Sequence, residues 1–239
     1  MTYLSRRLMV RGTAVLGLGL ASGTLLTAPT ASAADAADSA GAMGAAAKER
    51  PVSLNGWVME ERADDVSTVW TRPVPGTGLT VATRIGDVET VLVHLLRRHH
   101  YEIDELRPGD VTGWHHPSGF DPAAAASNLA SGTALRIRPG HYPAGTTGGW
   151  YPDQLTVVRD ILAELDGVVR WGGDDKQPDE SLFSIDVAPG SPRLRRLAAE
   201  LRGWREHPGR GAGVPADPLD ADRREAAEAL TRKQRATAR

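Results

Sequence analysis

The sequence predicts an α+β fold, in which helices pack on a mostly antiparallel sheet. Several short segments alternate apolar and polar residues, as strands with one buried face do, and three longer segments have the apolar spacing of amphipathic helices. Gly- and Pro-rich turns separate these segments. The chain has 239 residues, so one domain is expected once the N-terminal segment is set aside.

The N-terminal segment, residues 1–33, has the organisation of an export signal. Ser5–Arg11 contains the adjacent arginines of a twin-arginine signal, and the apolar stretch Gly12–Leu26 follows it. That stretch is too short and too rich in glycine for a transmembrane span. Ala31–Ala33 is a small-residue cleavage site. We therefore expect a secreted or cell-wall-associated protein that is free of the membrane after signal cleavage.

The next part of the chain predicts a linker, a hairpin and a helix. Residues 34–50 are rich in Ala, Gly and Asp and lack aromatic residues, which is typical of a disordered linker. Val66–Trp70 and Leu79–Arg84 are predicted strands, joined through a turn at Pro73–Gly76. Asp87 is the predicted N-cap of a helix that runs to about His100.

The middle of the chain predicts a loop, a strand and a second helix. Val111–Gly113 is a predicted strand end, and His115–Ser127 a predicted loop. Thr133–Arg138 alternates like a strand with one buried face. Gly145–Gly149 is a predicted flexible loop. Pro152 suits the first position of a helix, which is expected to end before Gly167.

The last part of the chain predicts two strands, a helix and a tail. Val168–Trp171 and Leu182–Val187 are the strands, and a helix begins at Pro192. The folded domain is expected to span residues 51–210. Residues 211–239 form a charged C-terminal tail, for which a solvated helix and disorder both remain open.

Two motifs carry the functional signal. Ser127–Arg136 has the frame Ser-x-Leu-x-x-Gly-x-Ala-x-Arg. About 40 residues later, Arg170–Asp174 reads Arg-Trp-Gly-Gly-Asp, and Asp179–Asp186 reads Asp-Glu-Ser-Leu-Phe-Ser-Ile-Asp. Together they resemble the motifs of the zinc D-Ala-D-Ala carboxypeptidase and L-Ala-D-Glu endopeptidase family, whose members trim peptidoglycan stem peptides. The resemblance implies the hedgehog/DD-peptidase fold.

The zinc ligands of that family are replaced in this chain. The resemblance assigns the ligand positions, which hold His, Asp and His in the family, to Leu129, Arg136 and Leu182. Leucine has no lone pair, and the arginine side chain is a permanent cation with donors only. The residues therefore predict no zinc cofactor and no zinc-dependent hydrolysis, although the resemblance implies the peptidase cleft.

The resemblance also indicates the other candidate site residues. Asp179 occupies the general acid/base position, which has no metal-bound water to activate here. Trp114 and His115 lie where the family supplies a substrate-binding arginine, and Ser127 opens the first motif. We take Arg136, Ser127, Trp114 and His115 as candidate ligand-binding residues. Because charges in clefts are normally paired, an internal ion pair of Arg136 with an acid, Asp179 or Asp186, competes with ligand binding.

The other residues considered for a site give weaker signals. None of the seven histidines has the i, i+4 spacing of a helical zinc motif, since His99–His100 and His115–His116 are adjacent pairs. His94 lies beside the apolar stripe of its helix and is expected to be a packed or half-exposed residue and not a ligand. The pair Trp150–Tyr151, between glycines and a proline, is predicted to be exposed near the cleft.

Composition narrows the class of partner. The absence of cysteine excludes disulfides, and the net charge of −2 favours neither nucleic acid nor an anionic membrane. Scarce lysine beside abundant Arg, Ala and Gly is typical of a high-GC actinobacterial genome. Three functions stay open: a zinc-free protein that binds stem peptides, a peptidoglycan metallopeptidase with unrecognised ligands, and a structural scaffold whose cleft is filled.

Overall fold

A computed structural model of the chain describes residues 50–207, 209–214 and 216–239. The expected signal peptide, and the expected linker apart from Arg50, lie outside the described residues. Within the described ranges, four α-helices accompany a two-stranded and a four-stranded sheet. All strand pairs in these sheets are antiparallel, so the predicted α+β class is confirmed.

The two-stranded sheet is a hairpin of β1 (Val69–Val74) and β2 (Leu79–Arg84). The predicted first strand, Val66–Trp70, is wrong in its bounds, because pairing continues through Pro73 opposite Thr80. A proline is tolerated there because β1 is an edge strand, and its missing N–H removes no ladder bond. The turn therefore spans residues 75–78, two residues later than the predicted Pro73–Gly76, and includes Gly76 and Gly78, both with positive φ.

The four-stranded sheet has the order β3-β4-β6-β5. Its strands are short: β3 (Val111–Thr112), β4 (Ala134–Ile137), β5 (Val169–Trp171) and β6 (Leu182–Ile185). The central pair, β4 and β6, contains parts of both sequence motifs. Its register is what brings the two motifs together.

Three helices begin close to the predicted positions. They are α1 (Asp87–Glu102), α2 (Pro152–Glu164) and α3 (Pro192–Glu206). The predicted N-cap of α1 is wrong: Gly86 is the cap, with a φ of 96° that favours glycine, and Asp87 is the first helical residue. Asp87 still lies at the helix N-terminus, where its negative charge is favourable.

The two faces of the four-stranded sheet differ in their packing. Leu135, Ile137, Phe183 and Ile185 join the main core with apolar residues of α1, α2 and α3. Ala134 and Leu182 lie on the opposite face, where they form a smaller apolar cluster with Leu129. The predicted alternation of the two strands is therefore observed, and the second face is left free of the helices that cover the first.

The charged C-terminal segment contains a helix, α4 (Ala221–Ala236), which packs against α2. It is mostly exposed, but Ala227 and Gln234 are buried, and the Gln234 side chain donates to the carbonyl of Val169 in β5 at 2.8 Å. Of the two alternatives for the tail, the structure therefore has the helix, and that helix is docked on the domain. None of the helices within the described residues has the length and apolar character needed to cross a membrane.

Candidate functional site

Leu129, Arg136 and Leu182 converge on the second face of the four-stranded sheet. Arg136 in β4 lies directly opposite Leu182 in β6. Residues directly opposite in antiparallel strands point to the same face, with Cβ atoms roughly 5 Å apart. Leu129 ends the short 3-10 helix Ala125–Leu129 and packs in the same cluster as Leu182. Positions assigned from two separate motifs are thus neighbours in space.

An ion pair occupies the polar part of this location. The Arg136 guanidinium donates to Oδ2 of Asp179 from Nε at 3.1 Å and from Nη2 at 2.8 Å. The other carboxylate oxygen, Oδ1, accepts from the Ser181 hydroxyl at 2.5 Å and the Ser181 amide at 3.2 Å. Asp179 is buried, whereas a quarter of the Arg136 side chain is exposed. Asp179 is therefore fully engaged, and Arg136 keeps one side toward solvent.

The residues at these positions do not fit a zinc ion. Leu129 and Leu182 are buried and contact apolar neighbours, with Phe120 and Ala125 packed against them. Arg136 would present a positive charge to a dication, and the nearest carboxylate already has an arginine partner. The arrangement is an apolar plug beside an ion pair, which can hold an anion or a polar group. Among these four side chains only Asp179 has lone pairs suited to a metal, and its oxygens already accept from Arg136 and Ser181.

A groove of about 710 Å³ opens beside the ion pair, and we call it the Arg136 groove. Its floor includes Arg136, Asp179 and Leu182, and one wall is the segment Ala123–Ala126. Basic and acidic side chains balance along it: Arg136, Lys176 and Arg239 face Asp121, Asp175 and Asp179. A groove of this size suits a small ligand, and its mixed charge suits one that carries both signs.

The C-terminal end of the chain forms another part of the groove wall. The backbone amide of Lys176 donates to the Arg239 carbonyl at 2.7 Å, and the Arg239 amide donates to Oδ1 of Asp175 at 3.2 Å. Burial raises the pKa of Asp175, although Arg170 pairs with its carboxylate at 3.0 Å. Sequence reasoning missed Lys176, Arg239 and Asp175, because the tail approaches the groove only through tertiary contacts.

Three candidate residues lie outside the residues that line the groove. Ser127 is fully buried, and its hydroxyl accepts from the Leu54 amide at 2.9 Å and donates to the Pro122 carbonyl at 3.1 Å. The Trp114 indole donates to two backbone carbonyls, those of Glu60 and Ala130. His115 is exposed and contacts the ring of Phe120 edge-on. Ser127 and Trp114 thus make internal contacts, and only His115 presents an exposed side chain.

Trp150 is buried, so the prediction that the pair Trp150–Tyr151 is exposed is wrong for Trp150. Its ring stacks on Tyr142 with centroids 4.4 Å apart, and its indole N–H donates to the Glu180 carbonyl. The Glu180 carboxylate accepts from the amides of Gly148 and Gly149 at 2.8 and 2.9 Å, which fixes the glycine-rich loop next to Trp150. Tyr151, the next residue, carries the exposed aromatic ring instead.

The histidines are dispersed through the described part of the chain. Of the two alternatives for His94, packed and half-exposed, the structure has the packed one: Nε2 lies 2.8 Å from Oε1 of Glu164, and the ring contacts Trp204. His99 is buried next to Trp150. In the ranges that the structure describes, no three His, Asp or Glu side chains gather in a group that could hold a metal ion.

Comparison with known proteins adds no relative. A scan against protein-family models, a search of the curated proteins and a search of the solved structures each gave no match to this chain. The chemistry of the Arg136 groove must therefore be inferred from its own residues and from the two motifs that meet there.

Proposed function

We propose that this chain is an exported protein with a D,D-peptidase-like fold, which binds peptidoglycan stem peptides in the Arg136 groove without zinc and without cleaving them. The proposed export follows from the twin-arginine-type segment in residues 1–33. The proposed fold is supported by the convergence of Leu129, Arg136 and Leu182, since the family motifs require these positions to meet in one cleft.

The observation that carries the binding proposal is the partly exposed side chain of Arg136, which lines the groove. An arginine has five N–H donors, and its two bonds to Asp179 leave donors for a ligand. Peptidase substrates of the resembling family expose a carboxylate next to the scissile bond. A guanidinium suits a carboxylate in charge and in planar geometry, so it can hold this group where zinc would otherwise supply the charge.

A structural scaffold is the second candidate, and the ion pair itself favours it. Asp179 neutralises Arg136 within the protein, and the leucines fill the remaining space. A ligand carboxylate must then compete with Asp179 or share the guanidinium with it. Under this alternative the groove has no small-molecule ligand.

Calorimetric titration with a stem peptide that ends in D-Ala-D-Ala separates the two candidates. We expect saturable binding to the purified protein and at least a tenfold weaker affinity for Arg136→Leu, because a hydrogen bond to a charged group contributes about 1.5–3 kcal/mol. Arg62→Leu is the matched control, since Arg62 also pairs with one aspartate but is exposed outside the groove. Equal affinity in all three proteins, or no heat in any, would leave only the scaffold.

A further inference from the structure

A second cavity, of about 360 Å³, lies between α1, α3 and the glycine-rich segment that follows α3. We call it the α1–α3 cavity. It is separate from the Arg136 groove, because none of its lining residues lines that groove. Its polar lining side chains are all basic: His94, Arg97, Arg205, His207 and Arg210. Trp204 adds an aromatic wall.

Among the described residues, the three arginines of this cavity form no ion pair with a carboxylate. Arg97 lies over the Tyr101 ring and donates from Nη2 to the Ala212 carbonyl at 3.4 Å, a long hydrogen bond. Its Nε is buried and has no hydrogen-bond partner in the part of the chain that the structure describes. Arg205 donates to the carbonyl of Thr90 at 3.2 Å.

The neighbouring Arg98, on the same helix as Arg97, does form ion pairs. Arg98 pairs with Glu102, with Asp160 at 3.0 Å and with Glu164 at 3.0 Å. Arg98 is buried, so it needs these partners because water no longer stabilises its charge. Arg97 is half-buried and Arg205 and Arg210 are exposed, so the α1–α3 cavity concentrates positive charge that a ligand can reach. Burial and the positive charge of Arg97 both lower the pKa of Arg205, as expected for like charges that face one space.

We propose that the α1–α3 cavity binds a phosphate-type oxyanion through Arg97, Arg205 and Arg210. Guanidinium groups bind phosphate oxygens through directed, charge-assisted hydrogen bonds, and several of them suit a dianion better than a single carboxylate. The half-buried side chain of Arg97 lines the cavity, and its guanidinium has more N–H donors than its one long hydrogen bond uses. The cavity is large enough for a phosphate with a small organic substituent. Free phosphate and a phosphoryl group on a larger molecule share this chemistry.

Calorimetric titration of the purified protein with inorganic phosphate tests the proposal at constant ionic strength, with chloride as the reference anion. We expect one saturable phosphate site per chain and a rise in the thermal midpoint with phosphate. A parallel titration with glycerol 3-phosphate distinguishes the sources: tighter binding indicates an organic phosphate, and equal affinity indicates recognition of the phosphoryl group alone.

Arg205→Gln and Arg97→Gln should each weaken phosphate binding about tenfold or more, as loss of one charge-assisted hydrogen bond predicts. Arg195→Gln is the control, since Arg195 is an exposed residue of the same helix as Arg205 and does not line the cavity. Arg205→Lys keeps the charge and should retain part of the affinity, which separates anion binding from loss of folding. Absence of a saturable site, an equal response to chloride, or unchanged affinity in folded Arg205→Gln would overturn the proposal.

Discussion

Two aspartates of the second motif, Asp179 and Asp186, could each pair with Arg136. The three-dimensional arrangement determines which of them does. Asp186 pairs with Arg239 at 2.7 Å and lies 3.4 Å from Nε of Arg170. Asp179 is left for Arg136 and is held in place by Ser181. The sequence indicated that Arg136 needs a counter-charge, but two candidate acids and several competing arginines made the choice a matter of tertiary geometry.

The Arg136–Asp179 pair should contribute measurably to stability. We expect Asp179→Asn to lower the free energy of unfolding by about 2 kcal/mol, because the half-buried guanidinium loses its counter-charge. The double variant Asp179→Asn with Arg136→Leu should cost less than the sum of the single changes, as coupled neighbours do. Chemical denaturation of the four proteins measures this cycle.

The control for this cycle is Asp65→Asn, which breaks the exposed Arg62–Asp65 pair. Water and salt screen exposed ion pairs, so this change should leave the free energy of unfolding nearly unchanged. Additive effects of the two changes at Arg136 and Asp179 would mean that the pair is not a coupled unit.

His99 is a buried histidine that the fold keeps neutral. Both of its ring nitrogens lack a hydrogen-bond partner among the described residues, and its ring meets Trp150 edge-on. Burial, followed by the nearby charge of Arg138, lowers the pKa of His99 from 6.5 to about 4. The unfolded chain takes up this proton near pH 6.5, whereas the folded chain resists it down to about pH 4.

Acid should therefore destabilise the protein through His99. Above pH 6.5 His99 is neutral in both the folded and the unfolded chain, so it does not lower the free energy of unfolding. As the pH falls toward 4, only the unfolded chain binds the proton, and the free energy of unfolding decreases. Over that window the free energy of unfolding should decrease by up to about 3 kcal/mol on account of this residue. Urea denaturation at several pH values measures the slope. His99→Phe should flatten it, whereas His116→Phe, at an exposed histidine, should not; equal slopes in all three proteins would refute this role.

At the scale of elements, α4 was the least predictable part of the fold. Its sequence is mostly polar and charged, so local patterning left a solvated helix and disorder equally open. In the structure α4 packs on the domain through tertiary contacts that local patterns do not reveal. Arg223 of α4 pairs with buried Asp160 of α2, and the C-terminal end of α4 accepts hydrogen bonds from buried Arg170 of β5. By contrast, the apolar spacing of α1, α2 and α3 was sufficient to predict them.

Arg170 is the residue whose loss should release the end of α4. Its guanidinium donates to the carbonyls of Gln234 and Thr237, and it pairs with buried Asp175. We expect Arg170→Met to lower the free energy of unfolding by about 3–5 kcal/mol, because it leaves a buried carboxylate unpaired. Hydrogen exchange should accelerate first in the last turn of α4.

Arg232→Met, at an exposed position of α4, is the matched control and should change the free energy of unfolding by less than about 0.5 kcal/mol. Unaltered protection of the last turn of α4 in Arg170→Met would show that other contacts dock this helix.

At the scale of the whole molecule, the Arg136 groove combines segments that are distant in sequence. Leu54, Asp121, Arg136, Lys176 and Arg239 all line it. The two motifs indicated its central residues, Arg136, Asp179 and Leu182, because the spacing of residues within a motif and the alternation along a strand are local properties of the sequence. The rim could not be predicted, because Lys176 and Arg239 reach it only through the docking of the C-terminal segment. The phosphate site proposed for the α1–α3 cavity had no sequence signal either.

We infer that the Arg136 groove keeps the frame of a zinc peptidase in which the three ligands are replaced. Zinc titration of Leu129→His/Arg136→Asp/Leu182→His and of the unmodified protein tests this inference, with the double variant Leu129→His/Arg136→Asp as control. We expect one tightly bound zinc per chain in the triple variant, weaker binding in the double variant, which has one ligand fewer, and none in the unmodified protein. A folded triple variant without zinc, or a stoichiometric zinc in the unmodified protein, would contradict it.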